Sequence, residues 1–166
     1  IATGMHRAST HEELVNKYGE KIVQEEEIVM HDAYVDSDMK FFGTLPSGGE
    51  LWLNKLVGEA DLVISEGFIE PHFFAGFSGG RKSILPGVAS KKTVLWNHNA
   101  KFIASKHARA GSIDENPIHK DMLFAAKQAG LAFILNVIIN GEKKVIEAFA
   151  GNLEDAHAYG CEKVLE

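Results

Sequence analysis

The sequence predicts an α/β fold: a Rossmann-like layered sheet flanked by helices, with a β-hairpin near the C-terminal end. Segments that begin with helix-capping residues alternate along the chain with short apolar runs. Two of these runs, residues 61–65 and 131–139, have the composition of buried strands, and we expect the first to be a central parallel strand. Asn140-Gly141 is a strong hairpin signal, so we expect residues 143–148 to add an antiparallel edge.

The first third of the chain predicts a helix, two strands, a turn and a second helix. Thr10 and Glu13 have the spacing of a capping box, which starts a helix that should end near Gly19. Short strands are expected over residues 27–31 and 41–45, a turn at 47–49 and a short helix over 54–60.

Beyond residue 65 the periodicity stops until Ser90. Residues 66–87 are rich in Gly and Phe, and connections of this length inside a compact domain are usually functional or disordered. The Phe and Ile side chains argue against disorder. Ser90 should cap a helix towards Ser105, Asn116-Pro117 should begin one that ends near Gly130, and Asn152 should cap the last helix.

Composition excludes several classes of protein. The chain has 166 residues and a formal charge of −6, with 45% hydrophobic and 24% charged residues, as in soluble globular proteins. One cysteine excludes a disulfide scaffold, a thiolate zinc site and an iron–sulfur cluster built within this chain. There is no apolar run of the ~20 residues that a membrane span requires, and no basic footprint for nucleic acid. We therefore expect a cytoplasmic protein with no membrane or nucleic-acid partner.

We expect residues 1–166 to form a single α/β unit of a larger two-domain protein. The chain begins with Ile1 rather than an initiator Met, and it ends inside a helical pattern. Any site found here is then expected to be part of a larger one.

The segment from Glu70 to Ser83 directly follows a predicted strand, where open α/β sheets bind ligands. Ser78, Gly79 and Gly80 have the composition of a backbone nest for a phosphate, although the spacing of a Walker A loop is absent. Arg81 should favour the uncharged, nucleophilic amine of Lys82 by like-charge repulsion. On its own, this glycine-rich loop is equally compatible with a tight turn.

Three of the eight histidines are candidates for a site. His72 lies among aromatic residues, which should lower its pKa and keep it a neutral base. His6 follows Thr3-Gly4 at a predicted strand end, and His98, on the Ser90 helix, is either a metal ligand or a surface residue. No His-x-His or His-x-x-x-His pair occurs, which argues against a conventional zinc site.

The other titratable groups near these candidates have simpler interpretations. Glu66 and Glu70 either orient a histidine or are exposed, and Cys161 should be a core residue. The remaining histidines, which lack a supporting constellation, are expected to be structural or solvated: His11, His31, His107, His119 and His157.

Five short segments, distributed over essentially the whole chain, resemble the sequence motifs of a known protein family. They are residues 3–7 (TGMHR), 45–50 (LPSGGE), 65–87 (SEGFIEPHFFAGFSGGRKSILPG), 97–98 (NH) and 116–119 (NPIH). This combination resembles the lactate racemase (LarA) family, whose members are nickel-pincer-nucleotide-dependent 2-hydroxyacid racemases and epimerases. In register, the chain resembles the later part of the family's N-terminal domain.

The resemblance implies a cofactor and four principal site residues. The cofactor is a nickel-pincer nucleotide, a pyridinium-3-thioamide-5-thiocarboxylic acid mononucleotide that holds nickel through two sulfurs and a ring carbon. Lys82 matches the lysine that joins it covalently through the thioamide, and His98 matches the histidine in nickel's fourth in-plane position. His6 and His72 match the two catalytic histidines, which exchange the substrate hydroxyl proton while the hydride moves between substrate and cofactor.

The resemblance also implies partners beyond residues 1–166. These are a small-molecule 2-hydroxy acid, the proteins of cofactor synthesis, and a C-terminal domain that closes the cleft. Basic groups for the substrate carboxylate lie partly upstream of Ile1 in the family, so we expect the isolated chain to have little or no racemase activity. Ser78, Gly79 and Gly80 are assigned to the nucleotide phosphate.

Two other readings of the same residues remain open. The first is a non-catalytic binding or assembly domain, in which an exposed aromatic loop with Phe73, Phe74 and Phe77 forms an interface. The second is a phosphate-binding α/β enzyme that uses Lys82 as a Schiff-base nucleophile.

Overall fold

The computed structural model describes all residues, 1–166, and has the mixed α/β architecture that the sequence predicts. The helices are α1 (His11–Tyr18), α2 (Glu20–Glu25), α3 (Lys55–Glu59), α4 (Lys91–Asn97), α5 (Ala100–Ile103), α6 (Pro117–Gln128) and α7 (Leu153–Leu165). The strands are β1 (Met39–Thr44), β2 (Glu50–Asn54), β3 (Val63–Phe68), β4 (Pro71–His72), β5 (Gly76–Phe77), β6 (Leu131–Ile139) and β7 (Val145–Gly151). Short 3-10 turns cover Asp36–Asp38 and Gly80–Ser83. No helix is both long and apolar enough to cross a bilayer.

The three-stranded sheet has the order β3-β6-β7. β3 runs parallel to β6, and β7 pairs with β6 in the antiparallel direction through the predicted hairpin, so both expected pairings are confirmed. The expected central position of the first apolar run is wrong, because β3 lies at one edge of this sheet and β6 lies in its centre. The prediction that residues 61–65 form a buried strand is wrong as well: none of them is buried, and Leu62 and Ile64 are 67% and 63% exposed.

The two faces of this sheet are covered differently. Ile134, Asn136 and Phe149 point towards the side where α7 packs, and they are buried. On the opposite face, Ile64 and its paired residue Phe133 are 63% and 44% exposed. The helical layer therefore covers one side of the sheet and leaves an apolar surface on the other.

The first half of the chain contains a separate two-stranded sheet. β1 and β2 form an antiparallel hairpin, and the predicted turn at residues 47–49 joins them. The sequence analysis did not identify β2, because its five residues lie between the turn and the Asn54 cap of α3. The strand expected over residues 27–31 is wrong: the segment pairs with no strand, and its backbone bonds go to the N-terminal residues, where His31 N donates to Ile1 O. The buried His31 side chain contacts Ala89 O and Asn54.

The main core connects both sheets to the helices. Its largest members include Leu51 and Leu53 from β2, Ile118 and Met122 from α6, and Ile134 from β6. A smaller cluster contains Ile69, Phe77, Phe149 and Cys161, which confirms the expected core position of the cysteine. The capping predictions are also confirmed at Thr10, Asn116 and Asn152, because each side chain accepts backbone N–H bonds at its helix start.

The helix expected from Ser90 to Ser105 is interrupted. Ser90 caps α4 as predicted, but α4 ends at Asn97, and α5 begins after Asn99. The Asn99 side chain accepts from Phe102 N and donates to Trp96 O at 2.6 Å, so it ends one helix and caps the next. His98 is therefore the C-terminal cap residue of α4 rather than a residue inside a helix.

Candidate functional site

The aromatic-glycine segment folds into a small hairpin that presents His72. β4 and β5 pair in register, with His72 opposite Gly76. Gly76 has φ of 81°, and a Cβ at this position would lie 2.3 Å from Ser112 O, so only glycine fits here. Asn116 Nδ2 donates to Phe74 O at 2.9 Å and so holds the hairpin against the start of α6.

Aromatic rings surround the His72 imidazole. Phe73 stacks on it at 4.7 Å, and Phe74 meets it edge-on at 4.7 Å. Burial, followed by the charges of Lys82, His98 and Arg81, lowers the pKa of His72 to about 4. The ring is therefore neutral at pH 7, as the sequence predicts.

Of the three aromatic residues expected to be exposed, only Phe73 is. It is 75% exposed, whereas Phe74 and Phe77 are buried. Phe74 contacts the main core and Phe77 belongs to the smaller cluster, so neither ring offers an interface.

Lys82 lies in the 3-10 turn that follows the glycines, and it is partly buried. Burial, and then the neighbouring charge of Arg81, lowers the pKa of Lys82 to about 8, while Glu70 opposes this shift. The direction predicted from the Arg81–Lys82 neighbourhood is confirmed, although burial is the larger cause. Roughly a tenth of the amine is therefore uncharged at pH 7, far more than for an ordinary lysine.

His98 contacts the same phenyl ring as His72, because Phe74 meets the His98 imidazole edge-on at 4.9 Å. Burial, and then the charge of Lys82, lowers the pKa of His98 to about 4. Its Nδ1 atom is buried and has no hydrogen-bond partner. A buried ring nitrogen without a hydrogen-bond partner is unusual, which makes His98 a candidate ligand residue.

Buried polar side chains fix the position of His98 at the end of α4. Asp121 is fully buried and accepts from Ser47 N, Ser47 Oγ and Asn97 Nδ2. Trp96 Nε1 also donates to Ser47 Oγ at 2.8 Å. The 47–49 turn, α4 and α6 thus meet directly beside His98.

His6 lies on a turn that packs against the loop carrying Lys82. Gly4 N donates to Gly87 O at 2.8 Å, and Gly87 N donates to Lys82 O at 3.1 Å. The His6 side chain is exposed and makes no hydrogen bond. Lys82, His72 and His98 therefore influence one another directly, whereas His6 is connected to them through the backbone.

The glycine-rich loop uses most of its polar groups internally. Ser78 Oγ donates to Phe68 O and accepts from Glu70 N, both at 2.9 Å. Gly80 N donates to Asn136 Oδ1 at 2.9 Å. These bonds give Ser78 and Gly80 a structural role. Binding of the nucleotide phosphate by Ser78, Gly79 and Gly80 stays a prediction, and it requires the loop to rearrange.

Arg81 is the most deeply buried charged residue of this loop, at 1% exposure. Its guanidinium contacts His119 and His157, two residues for which the sequence offered no constellation. Asp121 and Asn136 also escaped identification from the sequence. All of these contacts join residues far apart in the chain, so no local sequence pattern predicts them.

Of the two alternatives for Glu66 and Glu70, the structure shows the second, because both side chains are exposed.

No group of three His, Cys, Asp or Glu side chains is arranged to hold a metal ion. The site instead offers one unpartnered imidazole, one partly buried amine and one further neutral imidazole. The protein side chains alone therefore do not form a conventional metal site.

Comparisons with known proteins identify relatives of this chain. A model of the lactate racemase N-terminal domain matches residues 1–111. Lactate racemases from Lactiplantibacillus plantarum and Thermoanaerobacterium thermosaccharolyticum are 61% and 57% identical to the chain over all 166 residues. The chain spans 39% of the length of each of these relatives.

Two solved structures share the fold. The lactate racemase apoprotein from T. thermosaccharolyticum superposes with a TM-score of 0.97 and 57% identity, over 98% of this chain and 39% of that one. A protein from Thermotoga maritima superposes with a TM-score of 0.82 and 27% identity, over 99% of this chain and 45% of that one.

Proposed function

Because the chain belongs to the lactate racemase N-terminal domain family, we propose that it is the cofactor-bearing part of a 2-hydroxyacid racemase or epimerase. The observation that carries this proposal is the contact of both His72 and His98 with the same ring, Phe74, with the Lys82 charge acting on both imidazoles. The racemases named above are relatives, and a lactate-type 2-hydroxy acid is the substrate class that they suggest for this chain.

Lys82 would hold the nickel-pincer nucleotide covalently. An amine must lose its proton before it can form an amide-type bond, and burial together with Arg81 favours that form. Once acylated, the nitrogen carries no charge, which suits its partly buried position.

His98 would supply the protein's nitrogen to nickel. Its ring is neutral at pH 7, and its buried Nδ1 has no other partner. When bound, the nickel-pincer nucleotide supplies a reversible acceptor for the hydride on the substrate's Cα. Asp121 and Asn97 would keep the imidazole in place through the end of α4.

His72 and His6 would move the substrate hydroxyl proton. Two bases are needed because the two enantiomers present their hydroxyl groups differently. In this structure Ala75 N donates to His72 Nδ1 at 3.2 Å, which places the proton of the neutral ring on Nε2. To accept a proton at Nε2, the ring must first give up its Nε2 proton and bind one at Nδ1, which breaks the hydrogen bond from Ala75 N. Such a bond contributes only about 1 kcal/mol.

The proposal assigns other parts of the reaction to groups outside residues 1–166. A C-terminal domain and further basic side chains would orient the substrate carboxylate and exclude water. We therefore expect little or no racemisation of lactate by the 166-residue chain alone. Rates equal to those of a full-length relative would contradict this part of the proposal.

Intact-mass analysis tests the central assignment. The folded chain is incubated with nickel and the cofactor-synthesis proteins, and peptide mapping then locates any adduct. We expect one adduct at Lys82, with stoichiometric nickel measured by elemental analysis. Lys82→Arg should abolish the adduct, whereas Lys91→Arg, which changes an exposed lysine, should not.

His98→Ala separates attachment from metal binding. It should keep the adduct and lose most of the nickel. A folded wild-type chain that acquires neither adduct nor nickel would contradict the proposed function and favour the non-catalytic alternative.

A further inference from the structure

The Arg81 guanidinium is buried without an acidic partner. It is 1% exposed, yet none of the eight salt bridges in the structure involves it. A buried charge of this kind is normally paired, because removing it from water costs several kcal/mol. We therefore expect the charge of Arg81 to have a function in the glycine-rich loop that a neutral side chain would not perform.

The guanidinium instead holds three parts of the site together. Nη2 donates to Ala75 O at 2.8 Å in the His72 hairpin, and Nη1 lies 3.2 Å from both Ser78 O and Gly79 O. Nε donates to His119 Nδ1 on α6 at 3.1 Å. The planar fork of donors thus fixes the turn that carries Lys82 against the hairpin and a helix.

The second imidazole, His157 on α7, is held by the same group. Its Nε2 lies 2.9 Å from Arg81 Nη1 and 2.9 Å from Ser78 O, and one nitrogen cannot accept from the first and donate to the second. Because a guanidinium can only donate, the contact with Arg81 makes Nε2 the acceptor. The ring proton then lies on Nδ1, which is 3.5 Å from Cys161 Sγ.

All of these partners are neutral. Burial, and then the Arg81 charge, lowers the pKa of His119 to about 4 and that of His157 to about 3, and burial raises the pKa of the Cys161 thiol to about 12. The positive charge of Arg81 is therefore hydrogen-bonded but not neutralised. Lys82 is the adjacent residue in the same turn.

We propose that Arg81 is a positioning residue for Lys82: its hydrogen bonds fix the Gly80–Ser83 turn against the His72 hairpin and α6, and they hold a guanidinium that no acidic group neutralises next to the residue that carries the amine. The inference rests on the proposed function, in which Lys82 carries the cofactor. The other charged and titratable groups that act at this position are His72 and His98, which are neutral, and the exposed Glu70, which opposes the effect.

Competitive acylation of the chain tests this without any cofactor. Acetic anhydride is added in trace amount between pH 6 and 11, and peptide mass spectrometry compares the labelling of Lys82 with that of exposed Lys101 in the same sample. In Arg81→Gln, we expect labelling of Lys82 at pH 8 to fall by about twofold to fivefold relative to Lys101, as a rise of half a unit to one unit from a pKa of about 8 produces. Arg81→Lys should restore part of this reactivity because it retains the charge.

A second pair of variants covers the case in which changes at Arg81 prevent folding. His119→Leu removes the acceptor of Arg81 Nε, whereas His119→Asn keeps an acceptor oxygen near the position of Nδ1. We expect a shifted labelling profile for Lys82 in the Leu variant and a near wild-type profile in the Asn variant. Identical Lys82 profiles in the wild type and in every folded variant at positions 81 and 119 would overturn the proposal.

This experiment separates the inference from the proposed function. A changed Lys82 profile combined with no cofactor adduct on the wild type would sustain the role of Arg81 and refute the cofactor assignment. An adduct on the wild type with an unchanged Lys82 profile in the variants would support the cofactor assignment and refute the role of Arg81.

Discussion

His72 illustrates, at the scale of single residues, how aromatic packing and positive charge act in the same direction. Burial against Phe73 and Phe74 and the nearby charge of Lys82 both disfavour the imidazolium. We expect the NMR titration of His72 in the 166-residue chain to have a midpoint near pH 4, with the proton of the neutral ring on Nε2. Lys82→Ala should raise this midpoint, whereas Lys91→Ala should leave it unchanged.

The tautomer and the midpoint can be checked in one set of ¹⁵N spectra of the imidazole nitrogens. A midpoint near the ordinary value of 6.5, or a neutral ring protonated at Nδ1, would contradict the geometry described for His72. A midpoint near 6.5 would also show that burial does not lower the pKa of His72, whereas the Nδ1 tautomer would leave that effect untouched.

The sequence predicted the chemistry of residues better than their surroundings. Neutral His72 and a lysine with a lowered pKa follow from immediate neighbours, which the sequence displays. Asp121 and His157 could not be predicted in the same way, since their partners Ser47 and Arg81 lie 74 and 76 positions away in the chain. A buried polar network is defined by tertiary contacts, and a single sequence contains no signal for them.

Among the secondary-structure elements, the two best-formed helix caps have unequal roles. Asn116 and Asn152 each accept two backbone N–H bonds at a helix start. Asn116 is also fully buried and donates to Phe74 O and Ser112 O, whereas the Asn152 side chain is exposed and donates only to Asp155.

Replacing each cap by alanine should therefore cost different amounts of stability. Asn152→Ala should lower the free energy of unfolding by about 1 kcal/mol, the ordinary value of a cap. Asn116→Ala should cost about 2–3 kcal/mol, because it also leaves a buried carbonyl without its donor. Urea titration followed by circular dichroism measures both, and equal losses would show that the bond to Phe74 contributes nothing.

Helix boundaries were predictable where a capping residue directly precedes a helical run. They were not predictable where the capping residue interrupts an apolar spacing that continues past it. Thr10, Asn116 and Asn152 each precede a helical run and were identified correctly. Asn99 was missed because the apolar spacing continues past it, although its side chain caps α5 and ends the preceding helix. The same limitation applies to β2, whose pairing with β1 depends on the turn between them.

The buried aspartate between α4 and α6 offers a test of how elements position His98. Asp121→Asn should weaken the bonds to Ser47 and Asn97 and cost about 2–4 kcal/mol of unfolding free energy, as breaking buried charged hydrogen bonds does. Asp114→Asn, at an exposed position, is the matched control and should cost less than about 0.5 kcal/mol. A loss below 1 kcal/mol for Asp121→Asn would mean that this network does not hold α4 in place.

Across the whole molecule, the partly buried and buried histidines make stability depend on pH. His72, His98, His119 and His157 all have folded-state pKa values far below the ordinary 6.5, since burial disfavours their charged forms. Below pH 6.5 the unfolded chain binds protons that the folded chain does not bind, so acid favours unfolding. The stabilising contribution is complete above pH 6.5 and decreases as the pH falls towards the folded values of about 4 and about 3.

His157 gives the clearest single contribution because it is almost fully buried. Its contribution to the free energy of unfolding should decrease by roughly 2 kcal/mol between pH 7 and pH 5, from 1.36 kcal/mol per pKa unit. Urea titrations at pH 7, 6 and 5 measure this slope above the range in which ordinary carboxylates titrate. His157→Gln retains an acceptor for Arg81 without a titrating ring, so its slope should be shallower than that of the wild type. Equal slopes would mean that His157 takes up its proton without unfolding, and the neutral cage around Arg81 would then have to be abandoned.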